Sequence, residues 1–206
     1  MNIGSLLLSA PPILLALTVH EYAHGWIADK YGDPTARYAG RLTLNPVSHL
    51  DPFGTLMFLL AGFGWARPVP VDPRYLRHPK KDMIWISLAG PGANVLCAFV
   101  FGLILRTARL LPGVSQSEIV MSVLYLAVFF NLILAVFNLI PVPPLDGSKI
   151  LMGILPPRHE YRFRELERYG FVILMGLILM DRMLHIPILR TIIGIPVQIL
   201  SRLFAG

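Results

Sequence analysis

The sequence predicts an all-α, multi-pass membrane protein, and three observations predict it. Only 15% of the 206 residues are charged while 55% are hydrophobic, with a mean hydropathy of +0.63; a soluble domain carries about 25% charged residues. Three runs reach the ~20 apolar residues that a helix needs to cross a bilayer. The remaining charges cluster in short segments between those runs. The expected organisation is a single membrane-embedded domain over 1–206. It has a three-helix core over about 3–155, short re-entrant or β-hairpin segments, and further helices over about 160–206.

The first run, Ile3 to about Ala28, is uncharged until His20 and Glu21. No basic residue precedes it, so it lacks the charged start of a secretory leader. Phe53–Ala66 is apolar but short and broken by Gly54, Gly62 and Gly64, which suits a re-entrant segment. Met83–Leu105 is the second run and contains Pro91 and Asn94. Ile119–Ile140 is the third and contains Asn131 and Asn138. Gly170–Met180 is short and spans only if tilted or extended. Near the C-terminus, Arg190, Thr191, Gly194, Gln198, Ser201 and Arg202 share one helical face, opposite a mostly apolar one. That pattern fits a helix at the membrane surface or one packed on the bundle. Cys97 has no partner for an intrachain disulfide and reads as a small hydrophobe.

The net charge of +6 does not indicate nucleic acid, because the basic residues occupy loops between apolar runs. Arg67, Arg74, Arg77, Lys80 and Lys81 precede the second run, and Lys149, Arg158, Arg162, Arg164 and Arg168 follow the third. Both groups are expected on the cytoplasmic side. The N-terminus is then outside, and Phe53–Ala66 leaves and returns on one side.

Chemistry enters with His20-Glu21-Tyr22-Ala23-His24. Residues four apart on a helix lie about 40° apart, so both imidazoles face one metal ion, while Glu21 is offset by about 100° and faces a water beside it. HExxH therefore supplies two ligands and a general base for metal-assisted hydrolysis, with zinc as the metal. Two ordinary core histidines and a chance glutamate are the alternative. Three ionisable groups within a membrane span are costly without a shared task, which favours the metal. Catalytic zinc takes a third protein ligand. Asp146 is the strongest candidate: it follows the third run in Asn138-Leu-Ile-Pro-Val-Pro-Pro-Leu-Asp146-Gly147, where the prolines break the helix and let the chain turn back. Under the assigned orientation both ligand sets lie toward the cytoplasmic face.

These residues resemble the site-2 protease family of intramembrane zinc metalloproteases. The resemblance rests on HEYAH at 20–24, Gly90-Pro-Gly-Ala-Asn94, and the motif at 138–147. Gly40-Arg-Leu-Thr-Leu-Asn-Pro46 and Gly64-Trp-Ala-Arg-Pro-Val-Pro70 are similar to the compact prokaryotic branch, without a PDZ insertion. It implies one Zn²⁺ per chain on His20, His24 and Asp146, with Glu21 as base. It also implies cleavage in or near a membrane-spanning substrate, in a prokaryotic cell membrane. Asn94 matches a family asparagine, read either as a catalytic donor to the substrate backbone or oxyanion or as an interhelical hydrogen bond. Asn138 belongs to the motif and is expected to orient Asp146 or meet substrate; packing suits Asn131.

Arg41-Leu-Thr-Leu reads as a short strand. It is either an ordinary hairpin or, through Thr43, an edge that pairs with an unwound substrate. His49, His78, His159 and His185 read as loop or interface residues without a role. The alternatives to an enzyme are a metal transporter or an inactive adaptor of the same fold. Polar groups gathered on one side argue against the first, and an intact Glu21 against the second. The expected partners are the bilayer and a membrane-spanning protein or peptide; a homo-oligomer is left open.

Overall fold

In lipid every backbone N–H and C=O must be satisfied within the chain, so long apolar runs fold as helices. A computed structural model describes residues 3–61, 64–183 and 187–206; Gly62 and His185 lie outside them. The chain begins with α1 (Ile3–Lys30), α2 (Thr35–Tyr38), α3 (Pro52–Ala61), α4 (Pro79–Arg109) and α5 (Pro112–Ser115). It continues with α6 (Glu118–Asn138), α7 (Asp146–Ile154), α8 (Pro157–Glu167), α9 (Gly170–Met183) and α10 (Ile188–Ala205). By length and composition, α1, α4, α6 and α10 are each able to cross a membrane.

The three expected core helices pack on one another, and α4 runs antiparallel to α1. His20 meets Asn94 while His24, one turn later, meets Ile86, about two turns earlier on α4. α6 completes the triangle through Val128 and Leu132, which are buried with Ala98 and Leu105 of α4. α10 is a fourth member rather than a surface helix. Its Val197 and Ala205 join that same cluster. Arg109 of α4 donates to the carbonyl of Ala205 at 2.6 Å, a cation satisfying the open C-terminal end of a helix. The polar stripe seen in the sequence is therefore borne by a helix of the bundle. α9 has 14 residues, about 21 Å at the helical rise, short of the ~30 Å hydrocarbon thickness.

The segment after Asp51 doubles back. α3 leaves at Pro52, and the chain returns so that Leu50 and Ala66 form an isolated antiparallel bridge. The Arg67 amide donates to the His49 carbonyl at 2.8 Å beside it. Departure and return thus lie side by side, as expected of a re-entrant segment.

The strand expected at Arg41–Leu44 does not form. Local bonds take up its backbone: Arg41 N donates to Ala36 O at 2.8 Å, and Thr43 O accepts from His49 Nε2 at 2.8 Å. His49 is buried by that role, contrary to its reading as an ordinary loop histidine. No strand occurs among the described residues.

Candidate metal centre

The site is built where α1, α4 and the start of α7 meet. After α6 the chain turns within seven residues, Val142 N donating to Ile140 O and Leu145 N to Val142 O. α7 then starts at Asp146. Gly147 makes that turn tight enough, since a Cβ there would lie 2.5 Å from the Ile140 carbonyl oxygen. Asp146 is thereby swung back to α1. Its Oδ2 lies 3.2 Å from His20 Nε2 and 3.1 Å from His24 Nε2, and the two Nε2 atoms are 3.0 Å apart. Zinc with ligands at about 2.0–2.1 Å in a tetrahedron gives ligand–ligand edges of about 3.3 Å. The observed triangle matches one face of such a site.

The hydrogen bonds behind the imidazoles fix which nitrogen faces inward. His24 Nδ1–H donates to the Ile86 carbonyl at 2.6 Å, and a carbonyl can only accept. His20 Nδ1–H donates to Asn94 Oδ1 at 2.6 Å. The Asn94 amide is oriented in turn by the Ala16 carbonyl, which takes its Nδ2–H at 2.9 Å. Both Nε2 atoms therefore present lone pairs toward Asp146 Oδ2, itself buried with no hydrogen-bond partner. Direct ion pairs would need a proton on each Nε2, placing two imidazolium ions in contact. One divalent cation satisfies all three atoms without that repulsion. Among the described residues these three form the group able to hold a metal.

Gly90 permits the closeness. A Cβ there would sit 2.7 Å from His20 Cε1 and 2.6 Å from His24 Cε1. The glycine of the second motif is thus the wall against which both rings rest, a role not drawn from the sequence.

Of the two readings of Asn94, the bonds it makes here are interhelical. It is fully buried, and its second Nδ2–H donates to Asn131 Oδ1 at 2.8 Å. Asn131 Nδ2 in turn donates to Ala127 O at 2.8 Å. With both amide protons engaged, Asn94 has none for a substrate oxyanion. It sits behind His20 with its Oδ1 on the ring's Nδ1, the position that supports of metal ligands occupy. Asn131 is its partner rather than simple packing. Asn138 does not reach Asp146: its Nδ2 donates to Leu134 O at 3.0 Å, while its side chain lines the cavity. Thr43 is not brought to the site; its Oγ1 accepts from Asn45 N and it lines no part of the cavity.

That cavity measures about 380 Å³ and contains His20, Glu21, His24 and Asp146, with Leu17, Val69, Phe137 and Leu174 among its apolar walls. An extended strap from Gly64 to Val71 crosses it. Pro68 and Pro70 have no N–H, so Val69 is the single backbone donor between Arg67 and Val71. That donor goes to Glu21 Oε2 at 2.8 Å. Arg41, nearly buried, holds the strap through the Arg67 carbonyl at 2.6 Å, and Asp33 Oδ2 accepts from Asp72 N at 2.7 Å further on. Trp65 of the strap meets Phe171 of α9 edge-to-face at 6.3 Å across the mouth. Lys149, one turn along α7, lies 3.9 Å from Asp146 Oδ1. The sequence signal for the strap was its proline spacing, and for Lys149 its i,i+3 relation to Asp146.

The family model described as Peptidase family M50 matches residues 106–180, which include Asp146 but not the HExxH motif. The chain is 41% identical over 168 residues to "Putative zinc metalloprotease YwhC" of Bacillus subtilis (strain 168), covering 80% of this chain and 77% of that protein. It is 31% identical over 172 residues to "Putative zinc metalloprotease Rip2" of Mycobacterium tuberculosis (strain ATCC 25618 / H37Rv), covering 81% of this chain and 64% of that protein. It is 26% identical over 149 residues to zinc metalloprotease MJ0392 of Methanocaldococcus jannaschii, covering 72% and 34%. No solved structure matches the chain.

Proposed function

The chain belongs to peptidase family M50, and from that premise we propose that it hydrolyses peptide bonds in or next to the membrane-spanning segments of other proteins. It is a zinc metalloprotease and a multi-pass membrane protein. One observation carries the finer reading. The His20–His24–Asp146 triangle and Glu21 share a cavity with mainly apolar walls, at one end of helices able to cross a membrane. An apolar substrate segment suits such walls better than a soluble peptide does.

His20, His24 and Asp146 hold the zinc, with Asn94 and the Ile86 carbonyl fixing the imidazoles. When bound, zinc polarises the scissile carbonyl and acidifies the attacking water. Glu21 accepts the water's proton and passes it to the departing amine. The Val69 N–H holds one Glu21 oxygen in place, so the carboxylate needs little reorientation. The substrate helix unwinds before cleavage, because helical carbonyls are engaged in internal bonds. On this reading the site faces the cytoplasm of a prokaryotic cell membrane, an orientation supported by the two basic segments that flank this end of the bundle.

The test compares wild type with Glu21→Gln for zinc content and for cleavage of a panel of membrane-spanning peptides. Zinc retained at wild-type level with cleavage reduced at least ~10²-fold is expected for loss of a general base. Equal cleavage by both proteins would remove Glu21 from the mechanism.

A further inference from the structure

Ser87 lies on α4 between Ile86, whose carbonyl receives His24, and Gly90, against which both imidazoles rest. Residues 87 and 90 share a helical face, and Ser87 lines the same cavity as the metal ligands. It is 1% exposed, yet its Oγ has no hydrogen-bond partner. A hydroxyl on a helix ordinarily bonds back to a carbonyl three or four residues earlier. Thr18 does so with Leu14 at 2.6 Å, Thr107 with Ile104 at 2.9 Å, and Ser148 with Leu145 at 2.7 Å. Ser87 does not. A buried hydroxyl left unpaired is costly, which marks it for a partner that this chain does not supply.

The chemistry of the cavity identifies that partner. Both Nε2 atoms, Asp146 Oδ2 and the Glu21 carboxylate are electron-pair donors. None offers a hydrogen to the negative charge that builds on a carbonyl oxygen under attack. Asn94 has both amide protons engaged, and Asn138 gives one of its two to Leu134. Lys149 faces Asp146 Oδ1. Ser87 is the buried hydroxyl without a partner on the wall next to the ligands, on the helix that carries Ile86 and Gly90.

Resting on the reading of this cavity as the peptidase site, we propose that Ser87 Oγ–H is a catalytic donor to the carbonyl oxygen of the scissile peptide bond. The water oxygen bonds to the carbonyl carbon, the π pair moves onto the carbonyl oxygen, and the water's proton goes to Glu21. Ser87 keeps its own proton and lends only a hydrogen bond, which strengthens as the oxygen becomes an oxyanion. When the C–N bond breaks, the pair returns to the carbonyl and the amine leaves with the proton from Glu21. Because the bond strengthens in the transition state, its loss falls on kcat rather than KM.

The full chain, purified in detergent and loaded with zinc, is compared as wild type, Ser87→Ala and Ser87→Cys; cysteine keeps the volume but is a weak donor. Both variants are expected to retain zinc and Tm, to lose roughly 10²-fold in kcat, and to keep KM within about twofold, as uniform binding is untouched. A phosphinic peptide built on a leucine-rich membrane-spanning sequence mimics the tetrahedral state, and both variants should bind it more weakly by a similar factor. Unchanged kcat and unchanged phosphinic-peptide affinity would overturn the proposal. So would a loss that tracks zinc content or Tm in both variants, which is the mark of a packing role. If the wild type binds the phosphinic peptide but cleaves no membrane-spanning peptide, the substrate reading fails, and Ser87 is still judged by the affinity difference.

Discussion

A histidine offers a metal either ring nitrogen, and what stands behind the ring decides which. At His20 that decision passes through a directional chain. Ala127 O takes the Asn131 amide, Asn131 Oδ1 takes one Asn94 proton, Ala16 O takes the other, and Asn94 Oδ1 is left for His20 Nδ1–H. Every link is buried, so a break is not repaired by water. Asn94→Ala strands His20 Nδ1–H and frees the ring to turn. A loss of roughly 10–100-fold in zinc affinity is expected, as for other supports of metal ligands, measured by competition with a chelator. Affinity equal to wild type would show that the imidazole is held by other means. The meeting of His20, His24 and Asp146 was legible in the sequence, because i,i+4 spacing dictates a shared helix face and a proline-broken helix end frees Asp146 to return. For Asn94 the sequence left an interhelical bond and a substrate contact equally open. Which end of an amide points inward depends on carbonyls of α1 and α6, and no local pattern encodes that.

At the scale of elements, the strap Gly64–Val71 couples the re-entrant segment to Glu21, the proposed general base. Its N–H at Val69 is placed by two prolines that donate nothing, by Arg41 on the Arg67 carbonyl, and by Asp33 on Asp72. Val69→Pro removes that donor from Glu21. It should leave zinc bound and lower kcat roughly ten- to hundredfold, since misplacing a catalytic group by about 1 Å costs that much. Wild-type turnover by this variant would mean that the strap does not position Glu21. Helices α1, α4 and α6 were plain in the sequence as uncharged runs of sufficient length. The strap was not, because an extended segment without a sheet has neither period; only its proline spacing hinted at it. The strand expected at Arg41–Leu44 failed for a related reason. Its alternating pattern is real, but local bonds from Ala36, Asn45 and His49 bend the chain there. For α10 the sequence left surface and bundle equally open, as a polar stripe serves either. What decides is Arg109 of α4 meeting its last carbonyls, a pairing between residues 96 apart.

Over the whole molecule, four helices among the described residues are able to cross a membrane, and α1, α4 and α6 of these line a site toward one end of the bundle. The bundle buries the ligands, the loop after α6 returns Asp146 to α1, and the re-entrant segment with α9 frames the mouth. In the proposed orientation that mouth faces the cytoplasm. A substrate span approaching through lipid would meet apolar walls first and the metal triangle after its helix has opened. Reconstitution of the zinc-loaded protein in vesicles with a membrane-spanning peptide, followed by mass determination of the products, tests this most directly. The predicted result is a cut inside the span or at its cytoplasmic edge, abolished both by chelation of zinc and by Glu21→Gln. Cleavage confined to soluble flanking sequence, or cleavage that survives either treatment, would contradict it.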